Sequence, residues 1–352
     1  MSNSSERFSW KRILLLLAAV MALGVGAAAC GGDDDGDSSG DSGTTPAQTT
    51  DATLVLDFIP NAVHAGIYDA VASGYYEDEG INLEIIQPTS TADTLRLIDA
   101  GKADIGIADG IDLAGQIDSG REAKGVMAIL QRPPGGLITL EEEGIESPAG
   151  LEGKTVGVTG VPSDNAILDT IMADDGSSSD EVDVVTIGFN GVQALEAGRV
   201  AAFTGFIPAD GVQVEEDGFP TTSFALDEYG GPSYPGLVAF STEGKIADDP
   251  ELMQGFVNAT IKGYQDTLED PAQAVDDLVS ETQGVNKQLA TAQLDAYIPL
   301  FGDSDTYGQF SNQSLEELST FLVDNDLAKQ PIAPDRYATN EYTGGEELSG
   351  GQ

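Results

Sequence analysis

Short apolar segments alternate with amphipathic segments along most of the chain. The apolar segments are rich in β-branched residues and end at turn-forming residues, which predicts strands at 53–58, 83–87, 103–108, 123–131, 155–158, 182–187 and 201–206. The segments between them predict helices at 64–73, 92–100, 112–119, 166–172 and 192–197. A strand–helix alternation of this kind predicts an α/β fold, built on mostly parallel sheets that helices cover on both faces.

The alternation indicates two lobes. Residues 145–235 are interpreted as a second α/β unit inserted into the first, and the apolar segments 137–140 and 237–240 are predicted to be the two connections. The predicted lobe boundaries are 51–140 plus 238–342 for lobe 1, 141–237 for lobe 2, and 343–352 for a flexible tail. Two lobes joined by two crossings form a hinged cleft, and ligands of such sheets bind beyond the carboxyl ends of the strands.

The first thirty residues have the pattern of an export signal. Arg7, Lys11 and Arg12 precede an apolar run at 13–25 that is too short for a membrane span, and three alanines stand before Cys30. We predict a lipoprotein signal at 1–30 with lipid on Cys30, which would hold the protein at the outer face of the cytoplasmic membrane. Ordinary secretion after the alanines is the alternative. Residues 31–50 lack large apolar side chains and predict a disordered acidic linker.

Composition narrows the classes of function. The chain has one cysteine, so no disulfide, zinc–cysteine cluster or iron–sulfur site is expected within it. Sixty acidic and 15 basic residues give a net charge of −45, which argues against binding to nucleic acid. We therefore expect no metal centre, and a monomer that interacts with a small molecule.

Four segments carry a family resemblance: LDFIPNAVHAG at 56–66, ADGIDL at 108–113, PSD at 162–164 and ADGV at 209–212. On these segments the chain resembles the substrate-binding proteins of ABC importers, in the group of thiamine-pyrimidine precursor binders and the related fungal pyrimidine synthases. The resemblance covers nearly all of residues 53–342. It implies a two-lobed periplasmic-binding-protein fold of type II-like architecture, no cofactor, and delivery of the ligand to an ABC permease and its ATPase.

The resemblance also implies an aminopyrimidine stacked on aromatic side chains and hydrogen-bonded by an Asn and an acid. Asn61 matches the Asn of the family, Asp210 stands where the family has Glu, and Phe58 stands where it has Trp. A carboxylate accepts from the exocyclic amine of such a ring and pairs with the ring if it is protonated. The predicted ligand-binding residues are Asp57, Asn61, His64, Tyr68, Ser163, Phe206, Asp210 and Tyr234.

Each candidate also has a purely structural interpretation. Asp57 could cap a helix or loop through its carboxylate, Asn61 could form a turn after Pro60, and His64 could simply begin a helix. Tyr68, Phe206 and Tyr234 could pack in the core. Ser163 follows a Gly-rich turn at a predicted helix start, where backbone N–H groups favour an anion, whereas an acid such as Asp164 is commonly a cap.

Two other functions stay open at this point. The fungal synthases use a catalytic histidine, pyridoxal phosphate and a cysteine-rich iron motif. This chain has one cysteine, at the predicted lipidation site, and one histidine in a different segment. A sulfonate, taurine or nitrate-type ligand is the second alternative, but acids at 57 and 210 would repel such anions.

Overall fold

The computed structural model describes residues 49–350. The predicted signal, the predicted lipidation at Cys30 and the linker as far as residue 48 lie outside the described residues. Among the helices that are described, none has the length and apolar character that crossing a membrane requires.

Strands and helices alternate as the hydrophobic pattern predicts. The strands are β1 Thr50–Val55, β2 Ile81–Ile86, β3 Ile105–Asp109, β4 Ala123–Leu130, β5 Gly135–Leu140, β6 Thr155–Val158, β7 Asp183–Thr186, β8 Ala202–Phe206, β9 Thr221–Ala225 and β10 Leu237–Thr242. The helices are α1 Ala65–Ala72, α2 Tyr75–Asp78, α3 Thr91–Asp99, α4 Gly110–Asp118, α5 Pro162–Asp174, α6 Gly191–Glu196, α7 Val212–Glu216, α8 Glu243–Asp248, α9 Pro250–Glu269, α10 Pro271–Glu281, α11 Lys287–Phe301, α12 Asn312–Asp324 and α13 Pro334–Tyr337.

The strands form two five-stranded sheets, one in each lobe. The order is β2-β1-β3-β10-β4 in lobe 1 and β7-β6-β8-β5-β9 in lobe 2. Strands β1, β2 and β3 are parallel, and so are β6, β7 and β8, whereas β10 and β5 run antiparallel to their neighbours. The two-lobed α/β architecture is therefore confirmed, with one reversed strand in each sheet.

The two predicted connections are wrong, because both segments are strands. Residues 137–140 belong to β5, which pairs with β8 and β9 in the second sheet, and 237–240 belong to β10 in the first sheet. The chain therefore crosses at 131–134 and at 226–236. Every residue of β5 is buried, and a strand between two neighbours satisfies both edges of its backbone, which a connecting segment cannot do.

The end of the predicted linker and the predicted flexible tail both contain ordered residues. Thr50, the last residue of the predicted linker, begins β1, and its N–H donates to the Gly80 carbonyl over 2.8 Å. In the predicted tail, Leu348 is buried and the Ser349 N–H donates to Asn312 Oδ1 over 2.7 Å. The buried Leu348 and the hydrogen bond from Ser349 hold this segment against α12.

Helices α1 and α9 pack closely enough to position the loop that follows β1. A Cβ at Gly263 would overlap the carbonyl oxygen of Gly66, so both helices present glycine where their backbones meet. The Tyr264 hydroxyl donates to the Val63 carbonyl over 2.7 Å. This contact fixes the turn that carries Asn61 and His64.

Candidate functional site

A cleft lies between the lobes, where the carboxyl ends of the parallel strands of both sheets face each other. Its empty space is about 900 Å³, including the solvent at its mouth. Lobe 1 contributes Asp57, Phe58, Asn61, Asp109 and Asp112. Lobe 2 contributes Gly135, Thr159, Val161, Ser163, Asp164, Ile167, Gly188, Phe189, Gly191, Phe203, Thr204, Gly205, Phe206, Ala209 and Asp210. This is the position in which open α/β sheets bind ligands.

Asp57 is oriented by the buried histidine behind it. His64 Nε2 lies 2.9 Å from Asp57 Oδ1, and His64 Nδ1 accepts from the Asn61 N–H over 3.3 Å. Because Nδ1 is an acceptor, the ring proton belongs on Nε2, which donates to the carboxylate. The ring of His64 is fully buried. His64 therefore positions Asp57 and does not itself reach the cleft.

Asn61 combines a local role with a position on the cleft wall. Its Oδ1 accepts from the Val63 N–H over 3.0 Å, and its Nδ2 donates to the Ile59 carbonyl over 3.1 Å. The side chain thus caps the short 3₁₀ turn at Ala62–His64 while it lines the cleft.

Asp210 lies in a one-turn π-helix, Ile207–Gly211, directly after β8. Its Oδ2 accepts from the Phe206 N–H over 2.9 Å. A Cβ at Gly205 would lie 2.7 Å from this oxygen, so glycine there leaves room for the carboxylate. Burial raises the pKa of Asp210 to about 6, although the hydrogen bond from Phe206 acts in the opposite direction.

Asp164 is held by hydrogen bonds from its own lobe. Its Oδ2 accepts from the Thr159 hydroxyl over 2.7 Å and from the Gly160 N–H over 2.9 Å. Its Oδ1 accepts from the Thr204 hydroxyl over 2.9 Å. Asp164 is therefore the cap that the sequence predicts, and it joins the ends of β6 and β8. Ser163 lines the cleft beside it.

Aromatic side chains close part of the cleft. The rings of Phe58 from lobe 1 and Phe189 from lobe 2 meet edge to face, with centroids 4.5 Å apart and planes at 75°. Phe203 and Phe206 add apolar surface from β8. A flat ring could therefore be held by aromatic faces on both sides of the cleft.

Two carboxylates of lobe 1 were missed by the sequence reasoning. Asp109 ends β3 and Asp112 lies in the first turn of α4. Burial, aided by the charges of Asp112 and Asp57, raises the pKa of Asp109 well above its usual range. Burial also raises the pKa of Asp112 to about 6, against a hydrogen bond with Ser163. An acid directly after a predicted parallel strand was the signal that would have found Asp109, because the same argument selected Asp57.

Three of the eight predicted residues lie outside the cleft wall. Tyr68 packs in the lobe 1 core and Tyr234 is fully buried in a second core cluster, which agrees with the structural alternative for both. His64 lies behind Asp57. The other five, Asp57, Asn61, Ser163, Phe206 and Asp210, line the cleft together. That they bind ligand stays a prediction.

The cleft wall is acidic. Five aspartates line it, and the lining residues within 49–350 include no lysine, arginine, histidine or cysteine. In the same part of the chain, no group of three or more potential ligand side chains is arranged to hold a metal ion. The wall can accept hydrogen bonds and attract positive charge, and its apolar faces can stack on a ring.

Two lobes with a cleft at their strand ends define the periplasmic-binding-protein fold. The alkanesulfonate-binding protein SsuA from Xanthomonas axonopodis pv. citri, solved with bound MOPS, has this fold and aligns with a TM-score of 0.65. The alignment has 16% identity and covers 83% of this chain and 96% of SsuA. The family model described as NMT1/THI5 like matches residues 61–274, and the chain belongs to this family.

Two curated relatives have different names. The formylaminopyrimidine-binding protein of Halalkalibacterium halodurans is 26% identical over 288 residues, which are 80% of this chain and 87% of the relative. The 4-amino-5-hydroxymethyl-2-methylpyrimidine phosphate synthase of Legionella pneumophila is 29% identical over 227 residues, 63% of this chain and 71% of the relative. The family thus includes a protein named for binding and one named for synthesis.

Proposed function

We propose that this protein is the extracytoplasmic solute-binding component of an ABC importer, and that it captures a thiamine-precursor aminopyrimidine. One observation carries the proposal: the cleft combines aromatic walls with several carboxylates and, within the described residues, no basic side chain. In this proposal the lipid on Cys30 anchors the monomer at the outer face of the membrane, where a permease and its ATPase receive the ligand.

The carboxylates suit the polar edge of an aminopyrimidine. The ring nitrogens accept hydrogen bonds and the exocyclic amine donates them. A carboxyl group with a pKa near 6, as at Asp210, is mostly ionised at pH 7 and accepts from the amine. It also forms a charge-assisted pair if the ring takes up a proton. Asn61 supplies a neighbouring amide on the opposite lobe.

The aromatic residues suit the faces of the ring. Phe58 and Phe189 lie on opposite lobes and touch, so a ligand that stacks on them favours the closed arrangement of the lobes. The relative named for formylaminopyrimidine binding, which covers most of the chain, supports the same class of ligand.

A sulfonate or another anion is disfavoured by the same cleft. SsuA shares the fold, but at 16% identity the likeness concerns the fold alone. Placing an anion among the carboxylates of Asp57, Asp109 and Asp210 would cost electrostatic energy with no basic lining residue to offset it.

A synthase function is disfavoured by the position of the histidine. His64 is the only histidine of the chain, and it is buried between Asp57 and the backbone of Asn61. A general base must come within hydrogen-bond reach of the proton that it removes, and both nitrogens of this buried ring are occupied, one by Asp57 and one by the Asn61 N–H.

Titration calorimetry tests the proposal. The mature chain is titrated with formylaminopyrimidine, hydroxymethylpyrimidine, thiamine and taurine at pH 7. We expect binding of at least one of the two precursor pyrimidines and no heat with taurine. Tight binding of taurine without binding of either pyrimidine would refute the proposal. Formation of a pyrimidine when the protein is incubated with pyridoxal phosphate, followed by chromatography, would favour the synthase alternative.

A further inference from the structure

The lobe 1 wall has more carboxylates than the polar edge of one pyrimidine ring can bind. Beyond Asp57 and Asn61, it presents Asp109 and Asp112, which follow β3 and begin α4. Asp109 Oδ1 accepts from the Ile111 N–H over 2.7 Å as the cap of α4. Asp112 contacts Ser163 of the other lobe. We call these two carboxylates the Asp109–Asp112 pair.

The pair has no compensating cation in the described part of the chain. None of the ion pairs formed within residues 49–350 involves either carboxylate. The neighbouring charged groups are Asp57 and Asp164, which are acids as well. Burying like charges together costs free energy unless a proton or a bound cation neutralises them.

The start of α4 packs on a buried tyrosine that does not line the cleft. The side chain of Tyr234 is fully buried, and its hydroxyl has no hydrogen-bond partner in residues 49–350. Its ring packs against Gly110, the residue between strand and helix, where a Cβ would lie 3.1 Å from Tyr234 Cδ2. Burial, and to a smaller extent the charges of Asp109 and Asp112, raise the pKa of this hydroxyl well above its usual range. Buried polar groups left unpaired are costly and uncommon.

The Asp109–Asp112 pair and Asp210 stand on opposite lobes of one cleft. The following inference rests on the proposed function. We propose that Asp210 binds the ring edge and that the Asp109–Asp112 pair binds a protonated amino group on the side arm of the pyrimidine. The preferred ligand is then a cationic aminomethyl-pyrimidine, rather than the neutral hydroxymethyl or formylamino compound. An ammonium group has three donors and a full charge, and it neutralises the pair where a hydroxyl cannot.

Three compounds that share the 4-amino-2-methylpyrimidine ring separate this inference from the proposed function. Their arms at position 5 are aminomethyl, hydroxymethyl and formylaminomethyl, and each is titrated into the mature protein at pH 7. We expect the aminomethyl compound to bind about tenfold tighter than the hydroxymethyl compound, or more.

In the double variant Asp109→Asn with Asp112→Asn, the ratio of the Kd values for the hydroxymethyl and aminomethyl compounds should fall to about one. Asn is a good helix cap, so α4 should keep its start. Asp248→Asn is the matched control, because Asp248 is an exposed acid on α8, outside the cleft lining. It should preserve the preference.

Equal affinity of the wild type for the aminomethyl and hydroxymethyl compounds would overturn the inference and leave the proposed function standing. A preference for the aminomethyl compound that persists in the double variant would also overturn the inference and leave the proposed function standing. Failure of the wild type to bind any of the three would overturn both.

Discussion

Replacing Asp210 by Asn is the sharpest test of how the cleft binds a ligand. The amide oxygen can still accept from the Phe206 N–H, the contact that Asp210 Oδ2 makes over 2.9 Å. The amide nitrogen then faces the cleft, so an acceptor is exchanged for a donor while size and shape are kept. Loss of a hydrogen bond to a charged group costs about 1.5–3 kcal/mol. We therefore expect a Kd for an aminopyrimidine that is roughly 10- to 150-fold weaker by titration calorimetry.

Stability measurements separate this effect from damage to the fold. Burial raises the pKa of Asp210 to about 6 from an ordinary value of 3.8, so ionisation above pH 6 opposes folding. The variant lacks that charge, and its Tm at pH 8 should equal or exceed that of the wild type. Weak binding together with an undiminished Tm would thus report the lost acceptor. The exposed Asp248→Asn exchange is the control for charge alone.

A second perturbation reaches the same carboxylate without removing its charge. In Gly205→Ala, the added Cβ would lie 2.7 Å from Asp210 Oδ2, and the carboxylate must move. Affinity should fall here as well. Unchanged affinity in both Asp210→Asn and Gly205→Ala would refute the role of Asp210 in binding.

Two further predictions concern the frame of lobe 1. Gly263→Ala should lower the free energy of unfolding by about 1–3 kcal/mol in urea titrations, because its Cβ would overlap the Gly66 carbonyl oxygen. Gly115→Ala is its control on another helix, where no atom lies within 4 Å of an added Cβ, and it should not destabilise. Asp69→Asn should raise the Tm on the order of 2 °C at pH 8 and less at pH 5. Burial, with the charges of two neighbouring acids, raises the pKa of Asp69 to about 7, so its ionisation opposes folding above pH 7 and its protonation adds stability at lower pH. An equal rise at both pH values, or the same pH dependence in Asp248→Asn, would contradict this account.

The order of strands and helices could be predicted from the sequence because the hydrophobic pattern is local. A parallel strand buried on both faces is a continuous apolar run, as at Thr155–Val158, and the prediction for that strand matches its bounds. The pattern does not encode which sheet a strand joins. Segments 137–140 and 237–240 would be apolar whether they were strands or connections between the lobes. Only their pairing partners, which lie far along the chain, show that they are strands.

The sequence by itself determined the two-lobed α/β class, and the strand pattern together with the family resemblance selected five residues that line one cleft. Side chains that follow parallel strands lie at the carboxyl ends of their sheets, where such clefts form. Only the tertiary structure decided the rest. It placed His64 behind Asp57, put Tyr68 and Tyr234 in the core, and brought Asp109 and Asp112 into the same cleft as Asp210. The physical reason is that burial and charge at one residue depend on neighbours that are distant along the chain, whereas periodicity depends on neighbours a few residues away.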